Sequence, residues 1–313
     1  MNEQSVCAKA EAKGHLLIVG VGLIGGSLGL ALKAAGYAAE IVGAGSRESN
    51  LQLAVECGAI DRYETDLQIA VRNAAVVLLA VPMGAMRSVM SEISHALPQD
   101  AVITDAGSVK GSFANDARAV FSDSLHRVVP GHPIAGSENS GVKASRADLY
   151  QQRRVILTPL PESNDASIEC VRSLWQMTGA EVHQLSLEQH DAALAASSHL
   201  PHYLSFVLVE MFAARDNRDD IFKFAAGGFR DFTRIAASDP VMWRDVALAN
   251  SDAVESLLDD YIEALKQFKT QLVQHDGEAM AQTFALAREA RRDWAEMVEG
   301  KPVPTSTDIP PNN

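Results

Sequence analysis

The feature that most constrains this chain is a glycine-spaced turn, Gly20-Val-Gly22-Leu-Ile-Gly25, wedged between the apolar run Leu16–Val19 and a segment of helical length, Leu23–Ala35. Glycines at this spacing permit a tight strand-to-helix turn and let backbone N–H groups approach an anion, which the positive end of the following helix also favours. A turn of this kind belongs to a parallel α/β sheet, and the residues that follow repeat the pattern. Apolar runs at Glu40–Val42, Val76–Val81, Ala101–Thr104, Arg127–Val129 and Val155–Leu157 alternate with helical stretches at Met83–Ala96, Val109–Phe121 and Asp165–Met177. Glu181–Gln184 can supply a last strand. Strand, helix, strand repeated this way predicts right-handed crossovers and a mostly parallel sheet covered on both faces. In that context the turn is a dinucleotide cradle, and the half that carries it is a Rossmann-type nucleotide-binding domain. Gly20, Gly22, Leu23, Ile24 and Gly25, with Val81 at the end of the third strand-like run, are its candidate cofactor-binding residues.

After about Leu187 the texture is almost purely helical. Leu194–Phe212 is apolar nearly all round, which predicts a buried central helix. Val254, Leu257, Leu258, Tyr261, Ile262, Leu265, Phe268 and Leu272 recur at three- and four-residue spacing, and Asp276-Gly277 turns the chain into a further helix with Phe284, Trp294 and Met297. Apolar faces this broad need a partner, so this half is expected to dimerise. The expected organisation is a loose arm at 1–13, a dinucleotide-binding domain at 14–186, an all-α dimerisation and substrate domain at 187–299, and a proline-bearing disordered tail at 300–313.

Composition narrows the function classes. A chain of 313 residues, 47% of them hydrophobic, has enough material for two cores. A net charge of −13 without a basic stripe argues against nucleic acid. Cys7, Cys57 and Cys170 are odd in number and far apart, which fits a reducing cytoplasm better than a disulfide scaffold. The longest uncharged run, Leu16–Leu32, holds five glycines and is too short for a membrane span.

The choice of nicotinamide is read at the end of the second strand. NAD-binding sites place a carboxylate there for the ribose 2′-hydroxyl, about 20 residues past the glycines. Here stand Gly45-Ser46-Arg47. The hydroxyl of Ser46 and the guanidinium of Arg47 suit a 2′-phosphate, so NADP is expected in preference to NAD. The alternative is that Arg47 begins a solvated helix and Glu48 serves the ribose.

Three segments carry polar residues that a core does not need. In Asp105-Ala-Gly-Ser108-Val-Lys110, Ser108 is expected to face the nicotinamide end, while Asp105 or Ser108 can also cap the next helix. In Gly131-His132-Pro133-Ile-Ala-Gly136-Ser137-Glu138, read as a loop, His132 is the acid–base candidate among nine histidines. In the helical half stand Ser198-His199-Leu-Pro201-His202 and Gly227-Gly-Phe-Arg230-Asp231-Phe-Thr-Arg234. His199 and His202 are spaced as metal ligands could be, but no third ligand accompanies them, and no metal is expected. Arg230 and Arg234 belong either to a surface ion-pair helix or to a carboxylate site.

Together, GVGLIGGS, DAGSVK, GHPIAGSENSG, SHLPH and GGFRDFTRIAASDPVMW resemble, in order from about His15 to Trp294, the prephenate/arogenate dehydrogenase family of tyrosine biosynthesis. The resemblance implies a nucleotide-binding domain followed by a helical dimerisation domain, and oxidative decarboxylation of a cyclohexadienyl substrate. It makes His132 the catalytic histidine, with Ser108 orienting it or the substrate hydroxyl, and Arg234 the partner of the ring carboxylate. His202, Ser198 and Asp231 would line the substrate pocket, with Glu138 near its mouth. Tyrosine would act as a competitive inhibitor. The rival classes are another Rossmann-fold hydroxyacid dehydrogenase, which would want a lysine where His199 and His202 stand, and a non-catalytic nucleotide sensor. The few residues before Leu16 and after Val298 carry the expectation that no mutase or regulatory domain is attached.

Overall fold

The computed structural model describes residues 14–299 with the exception of Glu138; the expected arm and tail lie outside the described residues. Six strands form one parallel sheet: β1 (His15–Val19), β2 (Ile41–Ala44), β3 (Arg62–Glu64), β4 (Ala74–Leu79), β5 (Val102–Asp105) and β6 (Val128–Val129). Their order in space, β3-β2-β1-β4-β5-β6, reverses direction between β1 and β4, the switch point at which open α/β sheets bind ligands. The crossovers are helices α1 (Leu23–Ala34), α2 (Glu48–Glu56), α3 (Leu67–Val71), α4 (Met86–Ser94) and α5 (Lys110–Val120).

Alternation along the strands divides the core in two. Leu16, Ile18, Val76 and Leu78 point to the face covered by Leu28 and Leu32 of α1. Leu17, Val19, Val77 and Leu79 point to the other face, covered by Met86, Met90 and Ile93 of α4 and by Phe113, Ala114 and Ala117 of α5. Every one of these side chains is essentially inaccessible, and together they give the sheet a rigid C-terminal edge.

A second, three-stranded sheet follows: β7 (Gly131–Pro133), β8 (Arg154–Leu157) and β9 (Glu181–Gln184), with α6 (Asp165–Gln176) between the last two. Here the sequence reading is corrected. His132 stands on a strand and not in a loop, paired antiparallel with Ile156. A three-residue strand made of Gly-His-Pro reads as a turn, and Pro133 is tolerated because β7 is an edge. The short strand β3 was equally invisible, since Arg-Tyr-Glu has no apolar run.

Helices fill the remainder: α7 (Leu187–Leu194), α8 (Leu200–Ala213), α9 (Arg218–Lys223), α10 (Gly227–Thr233), α11 (Pro240–Ala249), α12 (Ser251–Val273) and α13 (Gly277–Glu299). A π-helical turn, Ala195–His199, joins α7 to α8. Pro201 accounts for it, because the ring removes an N–H and crowds the carbonyl one turn earlier. The expected buried central helix is not found in the single chain. Ser205 is the one buried residue of α8, while Val207 is 63% and Met211 42% exposed. An all-round apolar helix needs cover on every side, and the chain supplies part of it. By length and composition the continuous helix Leu187–Ala213 could cross a membrane, yet His190 and His199 within it are buried in polar contacts with protein.

Two compact units are distinguished, one ending at Val254 and one beginning at Glu255. The second holds most of α12 and all of α13, with Phe268 and Phe284 in ring contact at 5.8 Å. Everything below concerns the first.

Candidate active site

The glycine turn sits at the C-terminal edge of β1, tied there by Gly20 N–H donating to the Ala44 carbonyl at 2.8 Å. Gly20 has φ +94°, and a Cβ on it would lie 2.4 Å from the Ala80 carbonyl oxygen, with Val81 beside it. Gly22 precedes α1 without a side-chain cap, so the first N–H groups of the helix face outward without partners in the helix. Such a cradle fits a dinucleotide pyrophosphate. The carbonyls of the same turn are held from behind: Ser145 donates to Gly22 at 3.1 Å and Tyr150 to Ile24 at 2.6 Å, while Asn50 donates to Val21 at 2.8 Å. Leu23 and Ile24 are the first residues of α1. Ser46 and Arg47 are exposed beyond β2, and Arg47 is the residue that opens α2. Glu48, the alternative ribose ligand, accepts the Tyr63 hydroxyl at 2.9 Å.

At the end of β5, Asp105 and Lys110 form an ion pair that is wholly buried. Burial pushes the Asp105 carboxyl up and the Lys110 ammonium down, each opposed by the charge of the other. Both also grip Gly131: Asp105 accepts its N–H at 3.0 Å and Lys110 donates to its carbonyl at 2.8 Å. The pair therefore fixes the backbone of β7 immediately before His132. Neither Asp105 nor Ser108 caps α5, against expectation. The cap comes from far along the chain, where the Asp191 carboxylate accepts the N–H groups of Lys110 at 2.8 Å and Gly111 at 2.7 Å. Asp105 is committed to the ion pair, and Ser108 is half-buried in the turn, its hydroxyl without a hydrogen-bond partner among the described residues.

His132 is joined through Nδ1 to Nε2 of His190 at 2.9 Å, the two rings edge to face. His190, with no exposed surface, is joined in turn through Nδ1 to Asp191 at 2.8 Å. Burial first, and then the neighbouring basic groups His190, Lys110 and His199, hold His132 well below the ordinary histidine value. It is a neutral base at neutral pH. Burial would raise Asp191, but hydrogen bonds from His190 and the two α5 amides hold it below the usual carboxylate range.

Of the remaining candidates, His202 and His199 lie against Trp243 of α11. His202 stacks on it with ring centroids 3.6 Å apart and an interplanar angle of 22°. Its Nδ1 donates to the Ser198 carbonyl at 2.8 Å, one turn back through the π-helical segment, which leaves Nε2 as the acceptor. Arg234, just beyond α10, lowers the His202 pKa through its charge, after the larger effect of burial. His199 is almost fully buried, with Nδ1 accepting from the Asn250 amide at 3.2 Å. Burial lowers it to about 4. His199 and His202 are thus each engaged at Nδ1 by protein. Asp231 lies on an exposed face with Arg230, 3.4 Å away, as in the surface ion-pair reading. Glu138 lies outside the described residues.

Lys110, His190, Asp191, Trp243 and Asn250 had no assigned role in the sequence reading. Lys110 and Trp243 fell inside quoted motifs, whereas the link from His132 to His190 spans 58 residues and has no local signature.

Comparison with known proteins agrees with this architecture. Residues 28–184 match the family model for the prephenate dehydrogenase nucleotide-binding domain, and residues 186–286 match the one for the prephenate dehydrogenase dimerization domain. A cyclohexadienyl dehydrogenase of Zymomonas mobilis is 37% identical over 285 residues, covering 88% of this chain and 94% of the relative. The crystal structure of prephenate dehydrogenase from Aquifex aeolicus, in complex with hydroxyphenyl propionate and NAD+, superposes with a TM-score of 0.84 at 34% identity, covering 90% of this chain and 98% of that one. Arogenate dehydrogenase of Synechocystis gives 0.75 at 26%, covering 90% and 99%. Since the matches run through both the sheet and the helices that carry these side chains, the chain belongs to the prephenate dehydrogenase family.

Proposed function

We propose that the protein oxidatively decarboxylates prephenate and/or arogenate, giving 4-hydroxyphenylpyruvate and/or tyrosine, with NADP as the better hydride acceptor and NAD as the poorer. The observation that carries the reading is the neutral imidazole of His132, next to Gly131, whose backbone Asp105 and Lys110 grip at the end of β5, in the sheet that also carries the glycine turn. A bound nicotinamide supplies the hydride acceptor. His132 takes the proton of the substrate 4-hydroxyl as hydride leaves the same ring carbon, and the ring carboxylate departs as carbon dioxide, making the ring aromatic. Help of this kind from a general base is worth ~10²–10⁴ in rate. Arg234 binds the ring carboxylate, His202 and Ser198 line the pocket beside it, and Ser108 orients the hydroxyl. A net charge of −13 does not oppose a dianionic substrate, because fields from the guanidinium and the α1 N-terminus act at short range.

The preference for NADP rests on exposed Ser46 and Arg47, with Glu48 engaged by Tyr63. Tyrosine, which carries the product's phenol and a carboxylate, inhibits by occupying the same pocket. The active form is a homodimer built on the helical half, in the cytoplasm. Measuring kcat/KM for prephenate and arogenate, each with NADP and NAD, by absorbance of the reduced nicotinamide, tests the reading directly. Turnover with neither substrate overturns it.

A further inference from the structure

The His132–His190–Asp191 chain does more than bring three polar groups together, because its hydrogen bonds and the burial of His190 together select one arrangement of protons at neutral pH. Asp191 accepts from three donors, the His190 ring and the amides of Lys110 and Gly111, so its carboxylate is ionised and has no proton to give. Nδ1 of His190 must therefore carry a proton. Burial holds His190 below its ordinary value, against the pull of Asp191, so the ring is neutral and its Nε2 is a lone pair. The contact from His132 at 2.9 Å then requires a proton on Nδ1 of His132. What remains on His132 is a single lone pair, on Nε2.

We propose that His190 and Asp191 are positioning residues that lock His132 into the tautomer whose Nε2 is the base for the reaction. The inference rests on the reading of His132 as that base. In free histidine the two neutral tautomers interconvert and the ring turns about its side-chain bonds; here the edge-on bond to His190 fixes both. One proton moves in the step, from the substrate oxygen to Nε2 of His132. His190 and Asp191 keep their protons throughout, and the carboxylate steadies the imidazolium through the intervening ring, as in the carboxylate–imidazole pairs of hydrolases. Asp191 is itself immobilised by the α5 N-terminus, and the Asn250 amide donates to its carbonyl at 3.1 Å. The charged or titratable groups that face the two rings are Lys110, Asp105, Asp191 and His199.

Asp191 also caps a core helix, so the test falls on His190. In His190→Gln the side-chain amide oxygen reaches the place of Nε2 and still accepts from His132; in His190→Phe the shape is kept and the acceptor is lost. The expected result is that His190→Phe lowers kcat at least about tenfold, within the range general-base help supplies, with KM for cyclohexadienyl substrate and nicotinamide little changed. His190→Gln recovers most of the loss. Nitrogen NMR of the wild-type protein should show His132 protonated at Nδ1 and bare at Nε2, and His190→Phe should show a mixture. The double variant His132→Asn/His190→Phe should be no slower than His132→Asn alone. Equal kcat for wild type and His190→Phe, or a doubly protonated His190 at neutral pH, overturns the proposal. If His132→Asn is inactive while His190→Phe is normal, the lock fails and the base stands. If His132→Asn is itself near normal, the base assignment fails.

Discussion

His132 and Arg234 illustrate two kinds of contribution that kinetics separates. On the proposed role of His132 as the base, replacing it by Asn removes an interaction made mainly in the transition state, so kcat should fall by ~10²–10⁴ while KM moves little. On the proposed role of Arg234 as the partner of the ring carboxylate, Arg234→Ala removes a ground-state contact and should act chiefly on KM. The pH profile carries a further sign. Because His132 sits well below 6.5, its base form persists on acidification past the ordinary histidine value, and the acidic limb of kcat/KM should lie below pH 6.5. An acidic limb at or above that value would mean that a different group is titrating. The proposed preference for NADP is tested at a single residue: Arg47→Ala should weaken NADP far more than NAD, and an equal loss for both would mean that Arg47 never meets the 2′-phosphate. These residues could be singled out as candidates because each sits in a local motif or at a defined offset from the glycines. His190 and Asp191 were not, because pairing across the fold leaves no trace in spacing, and an Asp that caps a helix 80 residues away looks like any surface carboxylate.

At the scale of elements, legibility followed apolar content. The strands β1, β4, β5 and β8 carry β-branched or leucine runs and stood out, with boundaries shifted by one or two residues. β3 and β7 did not, being three residues each and held by register alone. The junction of β1 and α1 was legible for a different reason, since glycines at this spacing between an apolar run and a helical stretch mark a tight strand-to-helix turn. Gly20→Ala tests that junction. A Cβ at φ +94°, 2.4 Å from the Ala80 oxygen, forces the turn open and should cost on the order of 1–3 kcal/mol. The KM for nicotinamide should rise by roughly tenfold or more, with circular dichroism unchanged. A variant that binds cofactor normally would show that the cradle tolerates a side chain and is not shaped as argued.

For the molecule as a whole, the sequence reading assigned an apolar helical half and expected a partner to cover it, but took Leu194–Phe212 for a helix already buried within one chain. In the single chain, Val207 and Met211 of α8 and Leu248 of α11 remain exposed. A second copy is the expected cover, so light scattering should report a dimer, and Val207→Lys should shift it toward monomer while leaving the sheet domain folded. A mass of one chain for the wild type at micromolar concentration would refute this. The same core holds its histidines neutral, and that has a consequence for stability. His199 lies near 4 when folded, against 6.5 for a free histidine. Between those values the unfolded chain binds a proton that the folded chain refuses. The stability conferred by a neutral His199 is therefore complete above pH 6.5 and is lost as pH falls toward 4, by roughly 3 kcal/mol in all. His132 and His190, also lowered by burial, act in the same direction. Tm should thus fall steeply on acidification through this window. His199→Asn keeps an acceptor for Asn250 but cannot titrate, so its Tm should depend less on pH than that of the wild type. Parallel Tm curves for the two proteins would place the acid sensitivity elsewhere and show that His199 does not resist protonation in the folded state.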